Sequence, residues 1–174
     1  SCYPCREGRE VLCLNAQVLG LNRDGAFAEF VTLPASCLLT LPEAVPFTVG
    51  AIAADAVSTA YRAVVGRGAL RSGERVAVFG CGGLGVHGIK IARLMGASQG
   101  IAVDVAPGAL RRAREAGATE TVDAREGEAA KRIRSLTAGE GVDLALEFVG
   151  LKGSVAEAIR SVLKNSSAEY AGIA

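Results

Sequence analysis

Six consecutive residues carry the clearest chemical signal. Gly80, Cys81, Gly82, Gly83, Leu84 and Gly85 fit the pattern G-x-G-x-x-G. Alone the pattern is weak. It gains meaning when a strand precedes it, a helix follows it and both sit in a βαβ unit. Gly80 then permits the tight turn, Gly82 lets a pyrophosphate approach bare backbone, and Gly85 lets the helix pack close to the strand. The N–H groups and positive dipole of the helix start favour the phosphates. The competing reading is a glycine-rich turn that binds nothing. Asp104 stands 24 positions after Gly80, near where an acidic residue accepts hydrogen bonds from an adenosine ribose. Its charge would repel a 2′-phosphate, which favours NAD over NADP. The same side chain can instead cap a helix starting near Pro107. Arg111 and Arg112 are the cations nearest in sequence that could serve a 2′-phosphate, but they lie well along that helix and read as solvated surface.

A second cluster is made of cysteines. Cys2-x2-Cys5-x7-Cys13 is a compact ligand set. Structural zinc takes four tetrahedral ligands; three are here, and a fourth is expected just upstream. Disulfides are the alternative, and they fit poorly with a nucleotide-binding chain of intracellular character. Cys37 reads as a core residue on a strand. Cys81 sits in the glycine loop, where a helix N-terminus can activate a thiol or a small side chain can simply fill space.

These groups need elements to hold them. Residues 1–25 read as loop. Two short strands are expected over 26–31 and 37–41, then a helix over 48–66 with Val49, Ile52, Ala53 and Ala56 as its apolar stripe. From residue 73 the rhythm changes. Strands over 75–79, 101–104, 119–122 and 142–148 alternate with helices over 84–95, 107–116, 126–137 and 153–163, and 168–174 reads as a further strand. Alternation at this spacing implies βαβ units and a parallel sheet.

Composition narrows the classes. The chain has 174 residues, with 19 Lys and Arg against 18 Asp and Glu. A near-neutral chain lacks the footprint of a nucleic-acid binder or a polybasic membrane surface. No apolar run reaches the roughly 18 residues of a membrane span. Glycine, at 22 residues, is nearly twice the usual share of about 7%, as turn-rich βαβ architecture requires. Ser1 in place of an initiator methionine, and an end at Ala174, read as a fragment cut on both sides.

Taken in order, these motifs resemble the zinc-dependent medium-chain dehydrogenases, the alcohol dehydrogenase-like family. Cys2, Cys5 and Cys13 match the last three ligands of its C-x2-C-x2-C-x7-C structural-zinc lobe. Residues 24–30, Asp24 to Phe30, resemble its "DGxxAEY" stretch, and residues 54–61, the glycine loop and the Asp104 strand end follow in the family's order. The resemblance implies an α/β fold: a Rossmann-type doubly wound parallel sheet preceded by the C-terminal part of a GroES-like β domain. It places a partial catalytic domain over 1–55, with the zinc lobe over 1–13, and a coenzyme domain, truncated at its end, over 56–174. It implies that Asp55 is the third protein ligand of a catalytic zinc, that Thr59 lies near the nicotinamide, and that Phe148 and Val149 line the adenine pocket. Gly80, Gly82, Gly83, Leu84, Gly85 and Asp104 complete the coenzyme set.

The implied activity is hydride transfer between NAD and a primary or secondary alcohol, a polyol or a cyclic hydroxyacyl-CoA. Zinc and NAD are the implied cofactors. The implied setting is cytoplasmic, with a small alcohol or ketone substrate, no nucleic acid, no membrane, and a homo-oligomer in the intact protein. Other readings are a dinucleotide-binding module without catalysis and a zinc-free quinone or enoyl reductase relative. The sequence also departs from the family. Its first two catalytic-zinc ligands and its hydroxyl relay fall upstream, so the catalytic residues proper are not identified. His87 reads as helix surface, Ala109 stands where a basic residue is common, and Lys164 to Ser167 replace "KPGG".

Overall fold

A computed structural model describes residues 2–170. The chain divides into two compact units, Ser1–Pro42 and Glu43–Ala174. The first contains a short helix, α1 (Tyr3–Arg6), and 3-10 turns at Glu10–Leu12 and Ala35–Cys37. The strands expected over 26–31 and 37–41 do not form. Their residues have strand propensity, but a strand exists only through a hydrogen-bonded neighbour, and among the described residues none pairs with them. Phe27, Phe30 and Leu39 are accordingly exposed. Cys37, expected in a core, is exposed on the 3-10 turn for the same reason.

The second unit opens with helical chain over 47–67. It consists of α2 (Phe47–Ile52), a π turn (Ala53–Val57), α3 (Ser58–Tyr61) and a second π turn (Arg62–Arg67). The domain boundary expected at 55/56 falls inside this run. The helix is where it was expected, but its buried face differs. Val49 and Ile52 are about half exposed, while Ala60, Ala63 and Val64 are buried. The π turns shift the helical phase, so a stripe drawn at a constant 3.6-residue period does not carry through.

The remainder alternates strictly. It runs β1 (Arg75–Phe79), α4 (Gly83–Leu94), β2 (Gln99–Asp104), α5 (Pro107–Ala116), β3 (Glu120–Asp123), α6 (Ala129–Leu136), β4 (Val142–Glu147), α7 (Lys152–Ser161) and β5 (Val162–Tyr170). The helix expected over 126–137 starts later, at Ala129, and the last strand starts earlier, at Val162; the expectation for 171–174 lies outside the described residues. All strand pairs are parallel, in the order β3-β2-β1-β4-β5. This is the doubly wound order of a Rossmann sheet.

The central strands β1, β2 and β4 carry apolar residues on both faces because helices cover both. Val76, Val78, Ala102, Leu144 and Leu146 pack with Ile89, Ala92 and Ala113 from α4 and α5. Ala77, Phe79, Ile101, Val103 and Ala145 pack with Ile133 and Ala158 from α6 and α7. The chain winds outward from β1 to β3, then returns to β4 on the other side. The crevice at the C-terminal ends of β1 and β4 is therefore the switch point, where open α/β sheets bind ligands. Among the described residues no helix is long and apolar enough to cross a membrane.

Candidate coenzyme crevice and cysteine cluster

The glycine loop leaves β1 at this switch point and becomes the first turn of α4. Gly80 has φ +83°, a left-handed conformation that favours glycine, and its N–H donates to the Val103 carbonyl at 2.8 Å. A Cβ on Gly85 would collide with the Gly80 carbonyl oxygen. That contact lets α4 sit tightly on the turn. Around Gly82 and Gly83 there is nothing within 4 Å of where a Cβ would stand. The fold therefore does not demand glycine at these two positions, and the space above them is open. Gly82 is the N-cap of α4 and Leu84 lies in its first turn, with no side chain capping the helix. The orphan N–H groups of that turn face no side-chain competitor.

Asp104 closes the loop from the end of β2. Its Oδ2 accepts the Cys81 N–H at 2.7 Å, and its Oδ1 accepts the Ala106 N–H at 2.8 Å. The second bond is a local turn ahead of α5, whose N-cap is Ala106 with no side-chain cap, so Asp104 does not cap the helix. A carboxylate has about four acceptor sites, which leaves lone pairs for further donors. Cys81 is fully buried, and its sulfur lies near the carbonyls of Val78 and Val103. Burial, reinforced by the charge of Asp104, pushes its thiol up to about 12. It is a filler residue and not an activated nucleophile.

Gly80 and Asp104 open onto a cavity of about 890 Å³ with mainly apolar walls, lined also by Val103, Val105, Val149 and Leu151. Val149 lies directly over Gly80, its Cγ2 2.7 Å from where a Cβ would be. Phe148 goes elsewhere. Its ring covers Gly88 of α4, whose Cβ position is 3.1 Å from it. The structure thus brings Gly80, Asp104 and Val149 together, and points Phe148 into the helix packing. Asp55 and Thr59 form their own pair: the Thr59 hydroxyl donates to Asp55 Oδ1 at 2.9 Å. Both are on the helical run whose α3 segment packs on α4.

In the first unit, the three cysteines meet. Their sulfurs all lie within 4.8 Å of one another, with Cys2 3.5 Å from Cys5 and 3.9 Å from Cys13. Tetrahedral zinc with Zn–S bonds of about 2.3 Å sets sulfurs roughly 3.8 Å apart, so the donor set fits that ion. Hydrogen bonds from the backbone N–H groups of Leu14 and Cys5 lower the Cys2 thiol to about 7. Hydrogen bonding with the Cys2 and Cys13 sulfurs raises Cys5 to about 12. Three clustered sulfurs thus compete for negative charge, which a soft cation would relieve.

Comparison with known proteins decides the family. A family model described as zinc-binding dehydrogenase matches residues 83–173. The chain belongs to the zinc-binding dehydrogenase family. Among curated relatives, the L-threonine 3-dehydrogenase of Sinorhizobium fredii is 35% identical over 176 residues, covering 99% of this chain and 49% of that protein. The enzyme of the same name from Bacillus licheniformis is 31% identical over 159 residues, covering 91% and 45%. Among solved structures, the alcohol dehydrogenase TADH from Thermus sp. ATN1 superposes with a TM-score of 0.92 at 34% identity, over 100% of this chain and 53% of that one. A zinc-binding dehydrogenase from Sinorhizobium meliloti, solved with NADP bound, gives 0.91 at 29% identity, over 99% and 50%. The chain spans about half the length of the relatives it matches.

One residue of this zinc-binding dehydrogenase chain escaped the sequence reading. Glu147, the last residue of β4, is buried at 2% exposure. Its carboxylate accepts the N–H groups of Val149 and Gly150 and the hydroxyl of Ser154. An acidic residue directly after the apolar run Leu144-Ala145-Leu146 was the available signal, since a buried carboxylate must find donors.

Proposed function

We propose that this chain supplies the coenzyme-binding part of an NAD-dependent, alcohol dehydrogenase-like oxidoreductase. The observation that carries the reading is the crevice at the switch point. Gly80 of the glycine loop and Asp104 line one cavity large enough for an adenosine, and the loop beyond it is open at Gly82 and Gly83. In this reading the N–H groups at the start of α4 hold the pyrophosphate, with Gly82 giving it room. Asp104 accepts the ribose hydroxyls with lone pairs not taken by Cys81 and Ala106, and disfavours a 2′-phosphate by charge. Val149 and the apolar wall receive the adenine; Phe148 supports that wall through α4. Thr59 and Asp55 lie on the nicotinamide side, with the Thr59 hydroxyl orienting the carboxylate.

Asp55 would give one carboxylate ligand to a catalytic zinc, which would supply Lewis acidity toward the alcohol oxygen, and the crevice would hold NAD as the hydride acceptor. A second zinc suits Cys2, Cys5 and Cys13 as a structural ion. The threonine dehydrogenase relatives act on a secondary alcohol, which supports a secondary alcohol among the substrate classes foreseen above. A cytoplasmic homo-oligomer belongs to the same reading. Titration calorimetry of the full chain with NAD and NADP, paired with metal analysis, tests it. Tighter binding of NAD with bound zinc supports the proposal. Equal or tighter binding of NADP removes the role given to Asp104.

A further inference from the structure

The turn after β4 is built around the buried side chain of Glu147. The Val149 N–H reaches Glu147 Oε1 at 2.9 Å, the Gly150 N–H lies 3.2 and 3.1 Å from the two oxygens, and Ser154 Oγ lies 2.7 Å from Oε1. On the other side the Phe148 N–H donates to the Phe79 carbonyl at 2.9 Å, which ties the turn to β1. Gly150, with φ +82°, reverses the chain. The backbone over 148–150 is therefore held from below by β1 and from within by one carboxylate. What emerges from this turn is the wall of the cavity: Val149 over Gly80, then Leu151 and Lys152.

We propose that Glu147 is a positioning residue for the adenine end of the dinucleotide, fixing the turn that presents Val149 and Leu151 to the ring. This rests on the coenzyme reading of the crevice given above. A buried carboxylate is costly unless every oxygen meets donors, and here the donors all come from the turn and the first part of α7. A glutamine keeps the shape but offers one acceptor oxygen. With that oxygen at the Oε1 place it keeps Val149 and Ser154, and its NH2 then faces the Gly150 N–H that reaches Oε2 at 3.1 Å, so the turn must shift at Gly150. Val149 reaches Gly80 of the glycine loop, while the Cys81 end that leads into the start of α4 is anchored by Asp104. Loss of Glu147 therefore disturbs the adenine wall and spares the phosphate site.

The test uses the full chain and NADH fluorescence, with AMP and inorganic pyrophosphate as competitors. Wild type, Glu147→Gln and Ser154→Ala are compared, with thermal melts alongside. Glu147→Gln is expected to weaken NADH and AMP by about tenfold and to leave pyrophosphate within about twofold. Ser154→Ala, which removes one donor of the set, is expected to weaken AMP by about threefold. If Glu147→Gln does not fold, Ser154→Ala decides on the same split. Unchanged AMP affinity overturns the proposal, as does a loss of AMP and pyrophosphate by the same factor. Should wild type bind neither NADH nor AMP, the coenzyme reading falls and takes this inference with it. Wild-type binding with an indifferent variant overturns the role of Glu147 alone.

Discussion

Two alanine substitutions in one loop should fail in opposite ways. At Gly85 a Cβ has nowhere to go: it meets the Gly80 carbonyl oxygen and lies 3.4 Å from Val78 Cγ1. The obstacle is mostly backbone, so α4 must lift from the sheet. Overpacking of this kind costs about 1–3 kcal/mol, and the upper end applies when backbone moves. For a chain of this size each kcal/mol lowers Tm by roughly 2–4 °C, which puts Gly85→Ala about 6–12 °C below wild type. At Gly82 a Cβ meets nothing within 4 Å, and the backbone angles of φ −75° and ψ −155° suit alanine. Alanine is a poorer N-cap by about 0.5–1 kcal/mol. Restricting the unfolded chain returns about 0.4–1 kcal/mol. The two offset, so Gly82→Ala should melt within about 3 °C of wild type. Its cost falls on the ligand, because the new methyl stands where the pyrophosphate must approach; NADH affinity should drop at least about tenfold. Differential scanning fluorimetry and NADH titration on both variants read the two axes separately. If Gly82→Ala binds NADH as wild type does, or melts as early as Gly85→Ala, the division of labour drawn for the loop is wrong.

Asp104→Ser should shift preference from NAD toward NADP, read as the ratio of the two dissociation constants; an unchanged ratio would remove Asp104 from the ribose site. With Ellman's reagent at pH 8, exposed Cys37 should react at once in the native chain and buried Cys81 only after unfolding. The folded value of Cys81 is raised from 9.0 to about 12, so its contribution to stability is full below pH 9 and disappears as pH climbs toward 12. Cys81→Ala should therefore lose stability less steeply than wild type over that window in pH-dependent melts. Cys5→Ser should lower the zinc content measured by plasma emission and the melting temperature of the zinc-loaded chain. Equal zinc in variant and wild type would argue against a cysteine site.

The parts of this molecule that were legible in its sequence are those decided locally. β1 and α5 lie at the expected residues because β-branched runs, Pro107 near a helix start and glycine at helix ends act within a few positions. The turn at Gly80 and the close contact at Gly85 were legible because each answers a short-range demand. Where partners are distant in sequence the reading failed. Residues 26–31 and 37–41 have strand character and no neighbour to pair with, so they remain irregular and Cys37 is exposed. The stripe on 47–67 slid because π turns alter the phase, and no composition marks a π turn. Phe148 and Val149, adjacent in sequence, have different neighbours: the Phe148 ring covers Gly88 of α4, and Val149 lines the cavity over Gly80. Glu147 was missed for a different reason: its donors Val149, Gly150 and Ser154 are near in sequence, but they face it only through the path of the turn.

The central claim is that the crevice between β1 and β4 holds a dinucleotide. Titrating the full chain with NADH while following its fluorescence, then adding ADP-ribose, tests this directly. The account predicts saturable binding at one site per chain, reversed by ADP-ribose in competition. A signal that rises linearly without saturation, or that ADP-ribose leaves untouched, would contradict it.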